Sequence, residues 1–417
     1  MNRREAYQIP MGEPTDFQLD EINKRLDDLK EEGSKAINIG RAFVPSSINN
    51  AKFVNDFKFG RQHCKYASKF LIDPKRELVF ALIDYHLPNG FALPCGEFDA
   101  VLITTGFFVH LDSLMQRVFS VFFNGDMSAI TAENNFKKDF VSFCDEKKID
   151  YSNDLLEIVR RLSISHIIGH EFGHLALGHC GFASNPQTEE IENSENKISL
   201  AANIREVDLV NLVSQAREID ADVQAASWVE SLLNAPTSLE HPEILNWLKA
   251  DRCRLSFIFS ISSLLWYVNL GAKGFSTKDI PASTTHPPTS FRAKTIFDSA
   301  LMQNVQRDSV NKYRHELFAT EAFYIVALGE ALKRKFELQD KIDVQSIKEL
   351  EILNCISKID LIKKCLGEMG LTTPNDKHQF AIKYYIEEMF AISIADRLRT
   401  KPFARWKEEY IINWGTR

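Results

Sequence analysis

The sequence lacks the cysteine patterns that are typical of proteins cross-linked by disulfides and of zinc ribbons. Its 417 residues include seven cysteines, an odd number, and no Cys-x-x-Cys pair occurs among them. Scattered cysteines of this kind are typical of reduced thiols in a cytosol. No apolar core follows residues 1–5, so we also expect no secretory signal. Both absences predict a cytoplasmic protein.

The sequence also lacks a clean transmembrane segment and an excess of basic residues. Its most apolar stretch, residues 255–272, is interrupted by four serines and an asparagine, whereas a membrane-spanning helix needs about 20 predominantly apolar residues. We expect this stretch to be a buried helix, so that no membrane is required. The net charge is −7, which gives no electrostatic footprint for nucleic acid, and we expect no nucleic-acid partner.

The most informative feature that is present is the segment His170-Glu171-Phe172-Gly173-His174. Two histidines four residues apart lie on one face of a helix, where they can hold a metal ion while the glutamate between them acts on a bound water. Zinc with three protein ligands keeps a position for water and lowers the pKa of that water to about 7. Because so short a pattern can arise by chance, its surroundings must decide whether it is a metal site.

The surroundings predict a helix over residues 152–178. Capping side chains stand at its start, an apolar stripe follows at helical spacing, and Gly178 or Gly181 would end it. Gly169 and Gly173 each cost about 1 kcal/mol relative to alanine inside a helix. We therefore expect the backbone of another segment to approach closely at these two positions.

A further histidine, His166, shares the face of His170 and His174. The span from His166 to His174 is about 12 Å along the helix axis, which is too long for both to bind one ion. We expect His166 to be a buried core histidine or a neighbour of the ligands.

The sequence predicts a third ligand on a second helix, over residues 207–233. Glu218 and Asp222 are four residues apart and share a face, whereas Asp220 points elsewhere. We interpret Glu218 as the third metal ligand and Asp222 as a carboxylate that orients a ligand histidine through its free ring N–H. The alternative is a solvated acidic helix face, which this pattern alone would favour.

Two more segments complete the set of motifs. Residues 88–96, Pro-Asn-Gly-Phe-Ala-Leu-Pro-Cys-Gly, precede an apolar run over 98–103 and then Thr104-Thr105-Gly106. This pattern is typical of a strand, a turn, a second strand and a helix start. The segment from His286 to Arg292 follows a loop rich in Ser, Thr and Pro, and by itself predicts only a turn that leads into a helix.

These four pieces, in this order, resemble the gluzincin metallopeptidases of the CAAX-prenyl-protease type and their soluble relatives, including the phage-exclusion (Lit-type) peptidases of bacteria. The matching positions are Asn89 to Gly96, Thr105-Gly106, the zinc helix, a Glu-x-x-Ala-Asp helix at Glu218, Ala221 and Asp222, and His286-Pro287 with Arg292. The resemblance covers residues 75–300.

The resemblance implies a role for each matching residue. His170, His174 and Glu218 would bind one zinc ion, and Glu171 would be the general base. An extended protein or peptide substrate would pair with a strand as an added β-strand. The strand residues concerned are Val101, Ile103 and Thr104. By the same likeness, His286, as a catalytic residue, and Arg292, as a neighbour of the ligands, would lie near the cleft and steady either the oxyanion or the ligand helix.

The sequence thus predicts an α+β fold that is mainly α. It would contain a zincin-like metalloprotease core, with a small β-sheet and an active-site helix, and a helical C-terminal region. We expect an N-terminal helical extension over residues 1–70, a zinc metallopeptidase domain over 71–300, and the C-terminal helical region over 301–417.

The function predicted from these features is that of a zinc-dependent metalloendopeptidase that hydrolyses peptide bonds of a protein substrate. Two alternatives remain open. One is a catalytically silent metal-binding regulator, or a stress or antiphage sensor, built on a peptidase fold. The other is a helical scaffold in which the histidine pattern is accidental. The sequence determines neither the substrate nor the oligomeric state.

Overall fold

The structure is a computed structural model that describes most of the N-terminal half of the chain and short segments beyond it. The described residues are 13–32, 40–46, 48–124, 135–148, 151–181, 206–232, 242–250, 254, 258, 262, 392, 393, 396, 397 and 400–407. They are mostly helical and include one small mixed sheet. The predicted α+β, mainly α, class is confirmed at this level.

Seven α-helices, four short 3-10 helices and four strands make up the regular structure of the described residues. The helices are α1 (Asp16–Glu32), α2 (Val54–Ala67), α3 (Thr105–Asn124), α4 (Asn135–Lys147), α5 (Tyr151–Leu177), α6 (Glu206–Leu232) and α7 (Pro242–Lys249). The strands are β1 (Ala42–Phe43), β2 (Glu77–Ile83), β3 (Gly90–Cys95) and β4 (Phe98–Thr104). The predicted strand, turn, strand and helix start over residues 88–106 is confirmed by β3, β4 and α3.

The sheet has the strand order β1-β2-β4-β3, in which only β2 and β4 run parallel. Because β2 is buried on both faces, its sequence Glu-Leu-Val-Phe-Ala-Leu-Ile is continuously apolar after the first residue. Ile22 and Leu26 of α1 share a core with alternate residues of three strands. On the opposite face, Phe57 of α2 packs against Phe80 with their ring centroids 6.0 Å apart.

β4 is an inner strand, and this corrects the prediction that it binds the substrate. Val101 pairs with Phe80 of β2 on one side and with Ala92 of β3 on the other. The hydroxyl of Thr104 donates to the carbonyl of Leu87 at 2.7 Å. With both edges in use, β4 cannot accept another strand. The prediction that Val101, Ile103 and Thr104 pair with a substrate is therefore wrong.

The described residues fall into two compact units. One contains the sheet, α1, α2, the last residues of α5, and residues 400–407; the other contains most of α3 and α5 together with α4, α6, α7 and residues 392–397. Since α1 and α2 pack on the sheet, residues of the predicted N-terminal extension share a core with β2 to β4. The division at residues 70 and 300 stays a prediction.

No helix among the described residues is long and apolar enough to cross a membrane. The apolar stretch over 255–272 lies almost entirely outside the described residues. The two positions that are described, Ile258 and Ser262, are both buried. The carbonyl of Ser262 accepts a hydrogen bond from the hydroxyl of Ser163 in α5 at 2.9 Å.

The C-terminal end of α5 is capped by a segment from far along the chain. Gly178 has a φ of +77°, the left-handed conformation that commonly follows the last helical residue, so the predicted helix end is confirmed. The backbone N–H of Arg405 donates to the carbonyls of Leu175 and Ala176 at 3.2 and 3.3 Å. The carbonyl of Leu175 also accepts from the backbone N–H of Gly178 at 3.2 Å, so the two segments together satisfy carbonyls at the end of the helix.

His63 in α2 predicts a measurable pH dependence of stability. Its ring is buried against the ring of Phe59, at 4.6 Å between centroids, and burial lowers its pKa to about 3. Below pH 6.5 the imidazole of His63 therefore binds a proton in the unfolded chain but stays neutral in the folded protein. Stability that is present above pH 6.5 is lost as the pH falls, with a slope that approaches about 1.4 kcal/mol per pH unit.

The measurement is the free energy of unfolding by denaturant at pH 7, 6 and 5. We expect the His63→Gln variant to lose less stability over this range than the wild type, by about 1 kcal/mol or more. His86 is exposed in the folded protein, so the His86→Gln variant should keep the wild-type slope. Equal slopes for the wild type and His63→Gln would contradict this account of His63.

Candidate metal centre

The two histidines of the motif lie one turn apart on α5, deep inside the protein. α5 spans Tyr151–Leu177, within one residue of the predicted helix at each end. His170, Glu171 and His174 are all buried. A helix placed in this way holds the imidazoles on one side, as the four-residue spacing requires.

The third predicted ligand lies on α6, which spans Glu206–Leu232. Glu218 and Asp222 are 1% and 0% exposed as whole residues, and Asp220 is also buried. Burial at this level excludes the alternative of a solvated acidic face. Buried carboxylates require compensating partners, and each of the three is accounted for by a positive or proton-donating group, described below.

The donor atoms of the predicted ligands converge. One ligand atom each from His170, His174 and Glu218 lies within 4.8 Å of the other two, and all three residues are buried. Nε2 of His170 is 3.3 Å from Oε2 of Glu218. The group could hold a metal ion. The prediction that the side chains of His170, His174 and Glu218 meet is confirmed.

Asp222 occupies the position expected of an orienting carboxylate. Its Oδ1 lies 2.8 Å from Nδ1 of His170, so it can accept the N–H on that side of the ring. Nε2 is then the ring atom that faces Glu218 and remains for a metal. Pairing a ligand histidine with a carboxylate in this way fixes the tautomer and the orientation of the ring.

The close approach of α5 and α6 explains the two helical glycines. A Cβ on Gly173 would lie 2.8 Å from Cα and 2.9 Å from the carbonyl oxygen of Ala221. A Cβ on Gly169 would lie 3.1 Å from Cα of Ala225 and 2.9 Å from Cδ1 of Trp228. The expectation that another backbone approaches at both glycines is confirmed.

The carboxylates beside His170 control the protonation of its ring. Burial alone lowers its pKa, but the carboxylates of Glu218 and Asp222 outweigh burial and raise the pKa to about 10. The metal-free site at neutral pH therefore holds a positive imidazolium between two carboxylates. A site that stabilises a positive charge at this position is chemically suited to a cation, and the two-imidazole, one-carboxylate donor set fits a divalent metal ion.

His179 is a member of the site that the sequence interpretation did not identify. Its Nδ1 is 3.1 Å from Nδ1 of His174, so one of these nitrogens donates and the other accepts. If His174 binds a metal through Nε2, its Nδ1 carries the hydrogen and His179 accepts it. The only sequence signal was a histidine just beyond Gly178, five residues after the second ligand.

His166 is a buried core histidine, as predicted, and it is not part of the group of metal-ligand atoms. Burial lowers its pKa to about 3, although the nearby charge of Asp222 acts in the opposite direction. It is neutral at physiological pH. The other two predicted site residues, His286 and Arg292, lie outside the described residues, so their roles stay predictions.

No protein-family model matches the chain, and neither a curated protein nor a solved structure shows significant similarity to it. The resemblance to gluzincins therefore rests on the sequence motifs alone.

Gly173 provides a test of the helix contact through the sign of its effect. In an ordinary helix, replacing glycine by alanine stabilises by up to about 1 kcal/mol. Here the added methyl would meet the backbone of Ala221, so we expect Gly173→Ala to destabilise the protein by about 1–3 kcal/mol. We also expect weaker metal binding, because the substitution moves Glu218 away from His170.

Thermal unfolding and metal titration of the purified variant measure the two effects. Gly60→Ala is the matched control, since a Cβ there would meet the ring of Phe80, 2.2 Å from Cε1, on the sheet instead of on α6. It should lower stability and leave metal binding as in the wild type. A Gly173→Ala protein with raised thermal stability and unchanged metal affinity would show that the contact does not constrain the site.

Proposed function

We propose that this protein is a zinc-dependent metalloendopeptidase of the gluzincin type, built on a zincin-like core, that cuts a protein or peptide substrate. The observation that carries the proposal is the buried convergence of His170, His174 and Glu218, with Glu171 between the two histidines. Chance occurrence of the five-residue motif would give no reason for a third ligand on another helix to meet it.

Zinc is the metal that we assign to this donor set, because the two histidines lie in a His-Glu-x-x-His motif. Two imidazoles and one carboxylate form the ligand set of one large class of catalytic zinc sites, in which the fourth position is left to water. When bound, zinc would supply a water of lowered pKa and polarise the substrate carbonyl. The protein would bind the metal through ring nitrogens of His170 and His174 and a carboxylate oxygen of Glu218. Asp222 accepts the hydrogen on Nδ1 of His170, which leaves Nε2 for the metal.

Glu171 is the group that moves protons in this proposal. It is buried on the same turn of α5 as the two histidines, where a carboxylate can take the proton from the attacking water. The same carboxylate then delivers that proton to the departing amine of the cleaved peptide bond. General acid–base catalysis of this kind contributes about 10²–10⁴-fold to the rate.

The substrate strand is assigned to β3 instead of β4. Among the described strands β3 ends the sheet, and the N–H of Thr104 donates to the carbonyl of Asn89 at 3.0 Å. This bond sets the alternation of the antiparallel ladder, so Gly90, Ala92 and Pro94 direct their backbone groups away from β4. Every residue of β3 except Pro94 is buried, and the carbonyl of Ala92 accepts a hydrogen bond from the thiol of Cys180 at 3.6 Å. An extended peptide that adds to this edge would replace that contact.

We propose a cytoplasmic location for this activity. The four cysteines that lie in described segments, Cys64, Cys95, Cys144 and Cys180, are buried and form no disulfide with one another. Burial raises the pKa of Cys95 to about 12 and that of Cys144 to about 11, which keeps these thiols protonated. Such cysteines suit a reducing compartment.

The Glu171→Gln variant tests the catalytic assignment. The amide cannot accept the proton of the attacking water, so we expect peptide hydrolysis to fall by at least about 100-fold while the metal content stays at one zinc per chain. Metal analysis gives the content. Labelling of new protein N-termini in a lysate, after incubation with wild-type or variant protein, gives the activity and the substrate.

Glu157→Gln is the matched control on the same helix. Glu157 pairs with Arg161 in an i,i+4 salt bridge at a partly exposed position, so its substitution should leave cleavage unchanged. Undiminished cleavage by Glu171→Gln would overturn the mechanism. If the wild type is fully occupied by zinc but produces no new termini, the protein is better explained as a silent metal-binding regulator. If the wild type binds no metal, the histidine pattern is accidental.

A further inference from the structure

We propose that Asp396 and Arg397 are positioning residues of the metal centre. Asp396 forms a salt bridge with Arg217, and Arg397 forms one with Asp220. The two salt bridges fix the turn of α6 that carries Glu218. The proposal rests on the proposed function, because it concerns the ligand geometry of the same site. It assigns a role to a segment that follows Glu218 by almost 180 residues and that carries no recognisable motif.

The two salt bridges are both bidentate. Nε of Arg217 donates to Oδ2 of Asp396 at 2.5 Å, and Nη2 donates to Oδ1 at 3.2 Å. Nε of Arg397 donates to Oδ2 of Asp220 at 2.7 Å, and its Nη2 donates to the other carboxylate oxygen. Paired N–H groups against paired oxygens fix direction as well as distance, which a single ionic contact does not.

The pairs lie on a different side of α6 from the metal ligand. Arg217 and Asp220 are three residues apart and share one face, whereas Glu218 and Asp222 share another that is turned by about 150° around the helix axis. The second face meets His170. α6 is thus held from two directions at the same turn.

Rotation of α6 about its axis is the motion that this arrangement prevents. A carboxylate about 6 Å from a helix axis moves about 2 Å when the helix rotates by 20°. Metal–ligand distances tolerate only about 0.2 Å. The helix contact at Gly173 fixes how closely the two helices approach, but an approach distance does not determine rotation. The salt bridges on the other face supply that second constraint.

The order of charges admits one alignment. α6 presents a cation and then an anion, at Arg217 and Asp220, and the C-terminal segment presents an anion and then a cation, at Asp396 and Arg397. Any exchange of partners sets like charges against each other. Buried ion pairs add little net stability compared with apolar residues of similar volume, so the benefit of these four charges is a defined register beside Glu218.

The test compares Arg397→Gln with a control that breaks an equally buried pair elsewhere. Arg397 and Asp220 have side chains that are 15% and 1% exposed, and Arg76 and Asp99 have the same values. Arg76→Gln therefore removes a matched bidentate partner at the sheet. In that variant Asp99 keeps the guanidinium of Arg405 3.4 Å away, so the segment that caps α5 keeps this contact.

Two measurements report on the site besides catalysis. Competition with a chromophoric chelator gives the affinity for zinc, and the visible absorption of the cobalt-substituted protein reports the ligand geometry. We expect Arg397→Gln to bind zinc about 10–100-fold more weakly than the wild type and to change the cobalt spectrum. Arg76→Gln should leave both unchanged even if its thermal stability falls equally.

A second variant guards against simple unfolding. Arg397→Met combined with Asp220→Leu removes both charges, so no uncompensated charge remains buried. It should fold and still show the weaker affinity and the altered cobalt spectrum. Wild-type affinity and spectrum in either folded variant would overturn the proposal, as would an equal loss in Arg76→Gln. If neither variant folds while Arg76→Gln does, the pair is a folding requirement and the proposal fails.

These outcomes are separable from failure of the proposed function. A wild-type protein that binds no zinc removes the metal centre itself, and the positioning role falls with it. A wild-type protein that binds zinc and cuts substrate, with variants that bind zinc equally well, removes only the role of Asp396 and Arg397.

Discussion

The site depends first on the contact between the backbones of α5 and α6 at Gly173. A carboxylate on one helix reaches an imidazole on another only when the helix axes come close, and at Gly173 the space that a Cβ would need is already taken by Ala221. The glycine that weakens α5 as an isolated helix therefore brings Glu218 to His170. Local helix propensity is given up at this position in favour of the geometry of the site.

That contact encloses two carboxylates, those of Glu218 and Asp222, and buried negative charge of this kind favours a cation beside it. Glu218 and Asp222 are buried together, which would be unfavourable without a compensating positive group. In the metal-free protein His170 supplies it, because the carboxylates raise its pKa to about 10. A divalent metal ion and a proton thus compete for Nε2 of His170. The charges of the buried carboxylates are compensated only when one of the two is bound.

Local sequence patterns predicted the local parts of this arrangement well. Helical periodicity and the glycines located α5 and α6, and the four-residue spacings placed His170, His174 and Glu218 on facing sides. Long-range pairings were not accessible in the same way. Nothing in the sequence of β4 shows that it pairs with β2 as well as with β3, so the substrate strand was misassigned. The partners of Arg217 and Asp220 lie almost 180 residues away, and no periodicity connects them.

The buried charged residues of α6 distinguish it from a helix that serves only packing. From Val213 to Ala226 every residue of α6 is buried, yet this stretch includes Arg217, Glu218, Asp220 and Asp222. A helix buried on all sides is most simply stabilised by apolar residues, so these charges are not explained by stability. Two of them face the imidazole of the proposed ligand His170, and the other two face Asp396 and Arg397. Packing alone explains neither pair of charges. Both pairs are explained if they serve to position the carboxylate of Glu218.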